Sequence, residues 1–251
     1  MQYLFAQMSW AAWSVKVLAP FGVVVTGAME ALARIVDLYV EATIDTKAKP
    51  RLPHNPKMHL DELESTDRLY IGINKCLTVV FVYHLAQLVW TSPGVLWAPQ
   101  KATVMNTVGA LAAFFLLYDL VYATFHRALH MRWCYKFCHK HHHRQISPTR
   151  GNYDAINVHP FEFLVGEYVH LLAIYLIPCH ITAVACFILS GGVLASLNHT
   201  RLGLKFPLYD VRNHDVHHRW PEVNFGQYTM IWDKAFGWFK PYDAPKVGKD
   251  Y

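Results

Sequence analysis

Long apolar segments alternate with short polar segments through most of the chain. Residues 70–90 and 103–125 are apolar runs whose length suits a hydrocarbon layer about 30 Å thick. Residues 161–197 are apolar for too long to form one span. Pro178 divides them, which predicts a helical hairpin made of 163–177 and 181–197. The pattern therefore predicts an all-α integral membrane protein with about four transmembrane helices.

The N-terminal part of the chain is less regular. Residues 10–40 are mostly apolar but carry four charged residues, which indicates an interfacial helix or a first membrane helix with an amphipathic tail. Residues 45–67 are polar and contain three prolines, which is typical of a loop. We therefore divide the chain into an N-terminal helix and loop, 1–68, and a main domain, 69–251. No cleavable signal peptide is expected, so targeting would come from the spans.

Composition supports a membrane protein and excludes some other classes. Hydrophobic residues make up 53% of the chain and charged residues only 16%, whereas soluble domains carry about 25% charged residues. The net charge of +5 lies in loops and forms no basic stripe, which excludes nucleic-acid binding. The five cysteines are scattered and odd in number, so no disulfide framework is expected.

Histidines provide the main candidate chemistry. The pattern HxxHH occurs twice, 75 residues apart, and a pair at helical spacing precedes the first copy. The histidines concerned are His126, His130, His139, His142, His143, His214, His217 and His218. Residues three and four apart share a helix face, while adjacent residues diverge by about 100°, so each copy can reach one ion or bridge to a second. Imidazole suits zinc, copper, iron and nickel, and eight of them are typical of a site with two metal ions.

The first copy of the pattern also fits a histidine-rich loop or a zinc site with cysteine ligands. A histidine-rich loop would account for His141 to His143, but it would not account for the second copy of the pattern. Cys134 and Cys138 lie close to the first copy and could be zinc ligands.

Positive charge predicts the orientation in the membrane. The polar segments that flank the first two spans on the histidine side are basic, whereas the turn between these spans carries only Lys101. The basic residues are Lys47, Lys49, Arg51, Lys57, Arg68, Arg127, Arg132, Lys136, Lys140, Arg144 and Arg150. By the positive-inside rule, the histidine side faces the cytoplasm. We therefore expect a cytoplasmic helical cap that holds a dimetal site.

Several stretches together resemble the fatty acid hydroxylase/sterol desaturase superfamily. They read HRALH, HKHHHRQISPT, NVHPFEF, NHDVHH and WDKAFGWF, and they lie between residues 118 and 242. The HPFE and HDxHH stretches look most similar to the methylsterol oxidase branch. The resemblance implies a membrane enzyme of the endoplasmic reticulum with a non-haem di-iron centre. Such enzymes use O2, and electrons from cytochrome b5 and its reductase, to hydroxylate or desaturate a lipid.

The resemblance also implies roles for individual residues. The eight histidines would be metal ligands, and His199 in NHTRLG would be a ninth; no catalytic residue is implied beyond these ligands. Zinc could replace iron in purified material. His159 is expected to lie behind the ligands, or else to be one itself, and His141 is out of register with HxxHH. Carboxylates that could orient the rings are Asp119, Asp154, Glu162 and Asp215. Asp215 is the best placed of these, although it could equally start a helix.

Other questions stay open at the level of sequence. His84, His170 and His180 lie on apolar segments and are interpreted as packing residues or polar groups of a substrate tunnel. The alternative function is a histidine-rich membrane metal transporter, although transport sites usually lie near the middle of the bilayer. A family member that has lost catalysis is a third possibility. Sterol, fatty acyl, sphingolipid and alkyl lipid substrates all fit, as do hydroxylation and desaturation.

Overall fold

The chain folds almost entirely into helices, as its apolar pattern predicts. A computed structural model describes residues 15–47, 49, 51–52, 60 and 62–243. The helices are α1 Val15–Thr43, α2 Ser65–Thr91, α3 Ala110–Leu129, α4 Arg132–Cys134, α5 Asn152–Ala155, α6 Pro160–Leu176, α7 Ile181–Asn198, α8 Val211–Arg219 and α9 Ile231–Phe236. Two strands of two residues each, β1 Val95–Leu96 and β2 Cys179–His180, pair in parallel. The all-α fold class is therefore confirmed.

Within the described residues, three helices are long and apolar enough to cross a membrane. They are Ser65–Thr91, Met105–Leu129 and Ile181–Asn198, and they correspond to three of the four expected spans. The second of these begins with a π-helical turn, Met105–Gly109, that continues directly into α3. The fourth expected span, 163–177, forms the shorter helix α6 of 17 residues. A membrane protein is thus supported, while the count of four spans stays a prediction.

The N-terminal helix and the following loop agree in outline with the sequence pattern. The described part of the apolar segment 10–40 is helical and belongs to α1, which contains Pro20. Helix α2 begins inside the expected loop, because Glu64 and Asp67 form a reciprocal capping box at Ser65. Most of the loop between 48 and 61 lies outside the described residues. The suggested domain boundary at residue 68 falls in the first turn of α2 and stays a prediction.

The hairpin of α6 and α7 packs against α3 to form the main apolar core. α6 ends at Leu176, and Pro178 precedes β2, so the chain reverses where proline was expected to divide it. Phe114 of α3 and Phe187 of α7 are fully buried, and their ring centroids are 5.1 Å apart. This packing fixes α3 relative to the hairpin.

A second apolar cluster positions the C-terminal histidines. Val36 of α1, Leu197 of α7, Leu202 and Val211 of α8 are buried together. The backbone N–H of Leu52 donates to the carbonyl of Arg201 at 2.7 Å, which holds the incoming loop against the same region. As a result, the start of α8 lies beside the end of α7, where His199 is located.

Candidate metal centre

The first histidine pair lies at the end of the second candidate span. His126 is in the last turn of α3, and His130 is the residue at which this helix ends. The backbone N–H of His130 donates to the carbonyl of His126 at 3.3 Å, and the two ring centroids are 5.3 Å apart. The same helix therefore continues from the apolar run into the histidine region, as the sequence predicts.

The first copy of HxxHH is not a regular α-helix. His139 ends a π-helical turn, Tyr135–His139, and a tight 3₁₀ turn, His142–Arg144, follows. A π-helical turn is wider than an α-helix, and a 3₁₀ turn is narrower. The side chains therefore point in directions that differ from those that α-helical spacing implies. His139 and His143 consequently face one group of rings, while His142 faces another.

The second copy lies on a regular helix. α8 is capped by Asp210, whose carboxylate accepts from the backbone N–H of Arg212 at 3.0 Å. His214 and His218 are one turn apart and share a face, whereas His217 diverges from His218 by about 100°. The helix therefore presents its histidines in two directions.

The nine expected ligands separate into two groups. In each group, one potential ligand atom per residue lies within 4.8 Å of the others. We call His126, His130, His139, His143 and His217 the five-histidine group, and His142, His199, His214 and His218 the four-histidine group. The groups adjoin, since the ring centroids of His143 and His218 are 5.0 Å apart. Every histidine expected to be a ligand therefore lies in one of two neighbouring groups.

Ring nitrogens in the five-histidine group converge closely. The Nε2 atom of His139 lies 3.0 Å from Nε2 of His126 and 3.0 Å from Nε2 of His143. Nε2 of His217 lies 3.1 Å from Nε2 of His143. Two imidazole nitrogens that each lie about 2.1 Å from a metal, at right angles, would be about 3.0 Å apart. The spacing thus matches neighbouring ligands of one ion.

The four-histidine group has the same arrangement. Nε2 of His214 lies 3.1 Å from Nε2 of His199 and 3.1 Å from Nε2 of His218. Nε2 of His142 lies 3.5 Å from Nε2 of His199. Each group therefore forms a cage of nitrogens that could hold one ion.

The hydrogen bonds behind the rings indicate that a cation belongs between them. Nδ1 of His126 donates to the carbonyl of Phe225 at 2.9 Å, and Nδ1 of His139 donates to the Glu162 carboxylate at 2.8 Å. Because these partners accept, the proton of each neutral ring lies on Nδ1 and the lone pair on Nε2. Two lone pairs that face each other at 3.0 Å repel unless a positive ion separates them. These residues therefore fit a metal ion.

Protonation of the clustered rings does not take the place of that ion near neutral pH. Burial lowers the pKa of His139, His143 and His217 well below its usual value, and the neighbouring imidazoles lower it further. Burial and the proximity of His126 bring the pKa of His130 to about 3. Nε2 of His130 is buried and has no hydrogen-bond partner among the described residues. The rings are therefore neutral near pH 7, which is the form that binds metals.

Glu162, and not Asp215, is the carboxylate that orients a ring. Glu162 lies in the first turn of α6, is 3% exposed and accepts from His139. The choice of Asp215 as the best placed candidate was wrong, because its carboxylate pairs with Arg201 and Arg219 instead. Its alternative role is also excluded, since Asp210 starts α8.

The other two candidate carboxylates hold the backbone. Asp119 accepts from the backbone N–H groups of Gln227, Tyr228 and Thr229, at 3.1, 3.0 and 2.6 Å. Asp154 accepts from the backbone of Thr149 and Arg150. Asp119 of α3 therefore holds the loop after α8 in place. The Phe225 carbonyl of the same loop accepts from His126.

The other histidines that the structure describes lie outside both groups. His159 belongs to neither group and caps α6 by accepting from the N–H of Phe161 at 3.2 Å. His180 caps α7 in the same way, and His84 contacts the hydroxyl of Tyr168. His141 contacts Asn157 and Asp67 at 2.9 Å. Cys134 and Cys138 belong to neither group.

An apolar cavity of about 390 Å³ lies next to the histidine groups. Side chains of α1, α2, α6 and α7 form most of its wall. Three wall residues contact the histidines directly: Glu162 binds His139, Tyr122 packs on His126, and the Ala195 carbonyl accepts from Nδ1 of His199 at 2.8 Å. The volume is in the range of sites that enclose small molecules.

Two adjoining histidine groups lie beside an apolar cavity, at the ends of helices that are long and apolar enough to cross a membrane. These features define the class as a helical membrane protein with a potential dimetal site. The chain belongs to the fatty acid hydroxylase family, whose sequence model matches residues 111–238. This range includes all nine clustered histidines.

Relatives of known name include sterol hydroxylase-like and sterol desaturase proteins. A cholesterol 25-hydroxylase-like protein of Caenorhabditis elegans is 30% identical over 178 residues, which cover 62% of this chain and 57% of the relative. Cholesterol 25-hydroxylase-like protein 1, member 2, of Danio rerio is 27% identical over 198 residues, or 72% of this chain and 70% of the relative. A Delta(7)-sterol-C5(6)-desaturase of Nicotiana tabacum is 30% identical over 119 residues, covering 45% and 42%. No solved structure matches the chain significantly.

The alignments cover only part of several relatives. The chain spans 57% and 59% of the length of the two Caenorhabditis proteins. The family is therefore established, whereas the activity and substrate of the whole protein are matters for proposal.

Proposed function

We propose that this protein is a membrane-bound lipid hydroxylase or desaturase in which the nine clustered histidines hold two iron ions. The observation that carries the proposal is the pair of adjoining nitrogen cages, with nitrogens 3.0 to 3.5 Å apart, against the wall of an apolar cavity. The names of the relatives, which include both hydroxylases and desaturases of sterols, support the same reaction class.

The protein's own residues position the ligands and the lipid. Two iron ions bound in the cages would supply the activation of O2 needed to remove hydrogen from an unactivated C–H bond. Glu162 orients His139, and the carbonyl of Val223 accepts from Nδ1 of His217 at 2.7 Å, so each ring keeps its Nε2 directed inward. The apolar wall excludes water and holds the lipid next to the histidines.

The cellular setting forms part of the same proposal. We place the protein in the endoplasmic reticulum, with the histidine groups facing the cytoplasm and with cytochrome b5 and its reductase as external electron donors. Basic residues in the polar segments on the histidine side support this orientation. Residues 69–251 are proposed to form the catalytic domain.

Replacing His217 with Ala tests the metal assignment. The five-histidine group loses one ligand, so iron per chain should fall below the wild-type value of two, and lipid oxidation should be abolished. Because the fold is held mainly by the apolar helices, the variant should stay in the membrane fraction. Iron and zinc are measured by elemental analysis of protein purified without oxygen, because ordinary affinities favour zinc over ferrous iron.

A matched control is His180→Asn. His180 is buried, lies outside both groups and caps α7, and asparagine is a good capping residue. The control should keep both metal ions and activity. Wild-type metal content and turnover in His217→Ala would refute the proposal. Labile zinc without turnover in the wild type would favour a metal transporter instead.

A further inference from the structure

The loop after α8 and the helix α9 pack along the side of a candidate membrane span. Residues 220–230 form the loop, and Ile231–Phe236 form α9. The indole Nε1 of Trp232 donates to the backbone carbonyl of Leu116 at 2.8 Å. Leu116 lies near the middle of the span Met105–Leu129, ten residues before the first clustered histidine. α9 is therefore attached to α3 well away from the end that holds the histidines.

The position of Leu116 places α9 at the depth of the apolar layer. The apolar run that becomes this span begins at residue 103. At 1.5 Å per residue, Leu116 is about 20 Å along the helix from that point. A hydrocarbon layer about 30 Å thick would therefore extend about 10 Å beyond Leu116, toward the histidines. Helices that lie in a membrane interface are buried to a similar depth, about 5 to 10 Å.

The outer side of α9 carries an aromatic surface. Phe236 is 43% exposed, and Trp232 and Trp238 are partly exposed. The ring centroid of Phe236 lies 5.9 Å from that of Trp232 and 4.7 Å from that of Trp238, so the three rings form one surface, which we call the aromatic face. Leu116 is also exposed and adjoins this face on α3. Aromatic rings of this kind are typical of the boundary between hydrocarbon and headgroups.

The exposed charge beside the aromatic face is positive. Lys234 is exposed, and the guanidinium of Arg127 lies 4.5 Å from the centre of the Trp238 ring. The carboxylate of α9, on Asp233, is buried and accepts from the backbone instead. Long basic side chains can keep their apolar stems in a hydrocarbon layer while the charged ends reach its surface. This charge is complementary to the phosphate groups of lipids.

Two buried carboxylates satisfy the irregular backbone that precedes α9. Asp233 accepts from the N–H groups of Phe225 and Gly226, at 2.6 and 3.0 Å. Asp119 accepts from the next three N–H groups along the chain. Five consecutive backbone donors, 225–229, are therefore bonded to protein side chains although they belong to no helix or strand. Irregular backbone at membrane depth is tolerated only where the protein supplies such partners.

We propose that the loop after α8 and α9 form a re-entrant segment, inserted in the lipid layer beside α3 with the aromatic face against acyl chains. The partner of this surface is the bilayer, and Lys234 and Arg127 reach its phosphate groups. A protein partner fits less well, because protein-binding surfaces have a polar rim, whereas this face continues onto the exposed apolar side of α3. The same loop contributes Gln227 and Tyr228 to the cavity wall, so part of that wall is itself inserted in lipid.

A photoreactive side chain at position 236 tests lipid contact directly, and the test requires neither metal nor turnover. Benzoylphenylalanine takes the place of Phe236 in the whole chain, which is reconstituted in nanodiscs of phosphatidylcholine and phosphatidylglycerol and then irradiated. Because Phe236 is exposed, a larger ring leaves the core unchanged. Mass spectrometry of the intact protein should find attached lipid, and fragmentation should place the new bond on an acyl chain.

The matched control carries the same probe at Phe137, which is 69% exposed but follows the end of α3 on the histidine side. Attachment to acyl chains should be at least about fivefold lower there, since this position lies outside a layer about 30 Å thick. Equal acyl attachment at the two positions, or attachment at position 236 only to headgroups, would overturn the proposal. Attachment of the probe at position 236 to a second protein chain would also overturn it and would identify the aromatic face as a protein interface.

Discussion

At the scale of single residues, a metal site depends on the hydrogen bonds to Nδ1 of the rings as much as on the histidines themselves. Glu162 is the only carboxyl side chain among the described residues that accepts from a clustered ring, and both it and His139 are almost fully buried. A carboxylate behind an imidazole fixes its tautomer and makes Nε2 a better donor to a metal. The effect of this residue should therefore appear in metal affinity.

Glu162→Gln should weaken metal binding about 10- to 100-fold while the protein remains folded. The amide oxygen can still accept from His139, but it carries no charge. Metal retention is measured against increasing chelator concentration. Glu167→Gln is the matched control, since it alters a glutamate of the same helix that contacts no clustered ring, and it should retain metal like the wild type. Equal retention in Glu162→Gln would contradict this role.

The sequence predicts the identity of the clustered residues better than their arrangement. Spacing alone brought out eight of the nine histidines, and the family resemblance added His199. The sequence could not assign His142 and His143 to different groups, because the π and 3₁₀ turns around them are set by tertiary packing.

At the scale of helices, Gly191 allows α7 to approach Tyr228 and His170 closely. A Cβ atom at Gly191 would lie 2.8 Å from the hydroxyl of Tyr228 and 3.3 Å from Nε2 of His170. At the adjacent Gly192, a Cβ atom would meet only Leu32, at 3.6 Å. The two glycines therefore differ in what they permit, although they are neighbours on one helix.

Gly191→Ala should destabilise the protein by about 1 to 3 kcal/mol, because it overpacks the contact between Tyr228 and His170. Gly192→Ala should be neutral or slightly stabilising, since alanine favours helices and the contact at this position is an ordinary one. Thermal unfolding of both variants in detergent measures the difference. Equal unfolding temperatures would show that Tyr228 and His170 can move aside for the extra methyl group.

At the scale of the whole molecule, the buried neutral histidines link stability to pH. Burial lowers the pKa of His139, His143, His214 and His218 well below the unfolded value of 6.5. Below that pH the unfolded chain binds protons that the folded chain excludes. The stability that these neutral rings contribute to the folded protein is therefore fully present above about pH 7, and it is lost as the pH falls below about 6.5.

The metal-free protein should therefore be markedly less stable to unfolding at pH 5.5 than at pH 7.5. Each strongly shifted histidine contributes up to about 1.4 kcal/mol per pH unit below its unfolded pKa. Unfolding is followed in detergent at both values of pH. His217→Ala removes one such group and should show a shallower dependence. A flat profile in the wild type would mean that the rings are protonated in the folded state.

The distribution of the histidines along the chain has a consequence for synthesis. The α6–α7 hairpin separates residues 126–143 from residues 199–218, and both groups take histidines from each side of it. A growing chain that has not yet reached α8 would hold four of the five histidines of one group, but only His142 and His199 of the other. The two cages therefore become complete only when α8 leaves the ribosome, by which time all three candidate spans have already been made. Membrane insertion would thus precede completion of either cage, and the five-histidine group would be the first able to retain an ion.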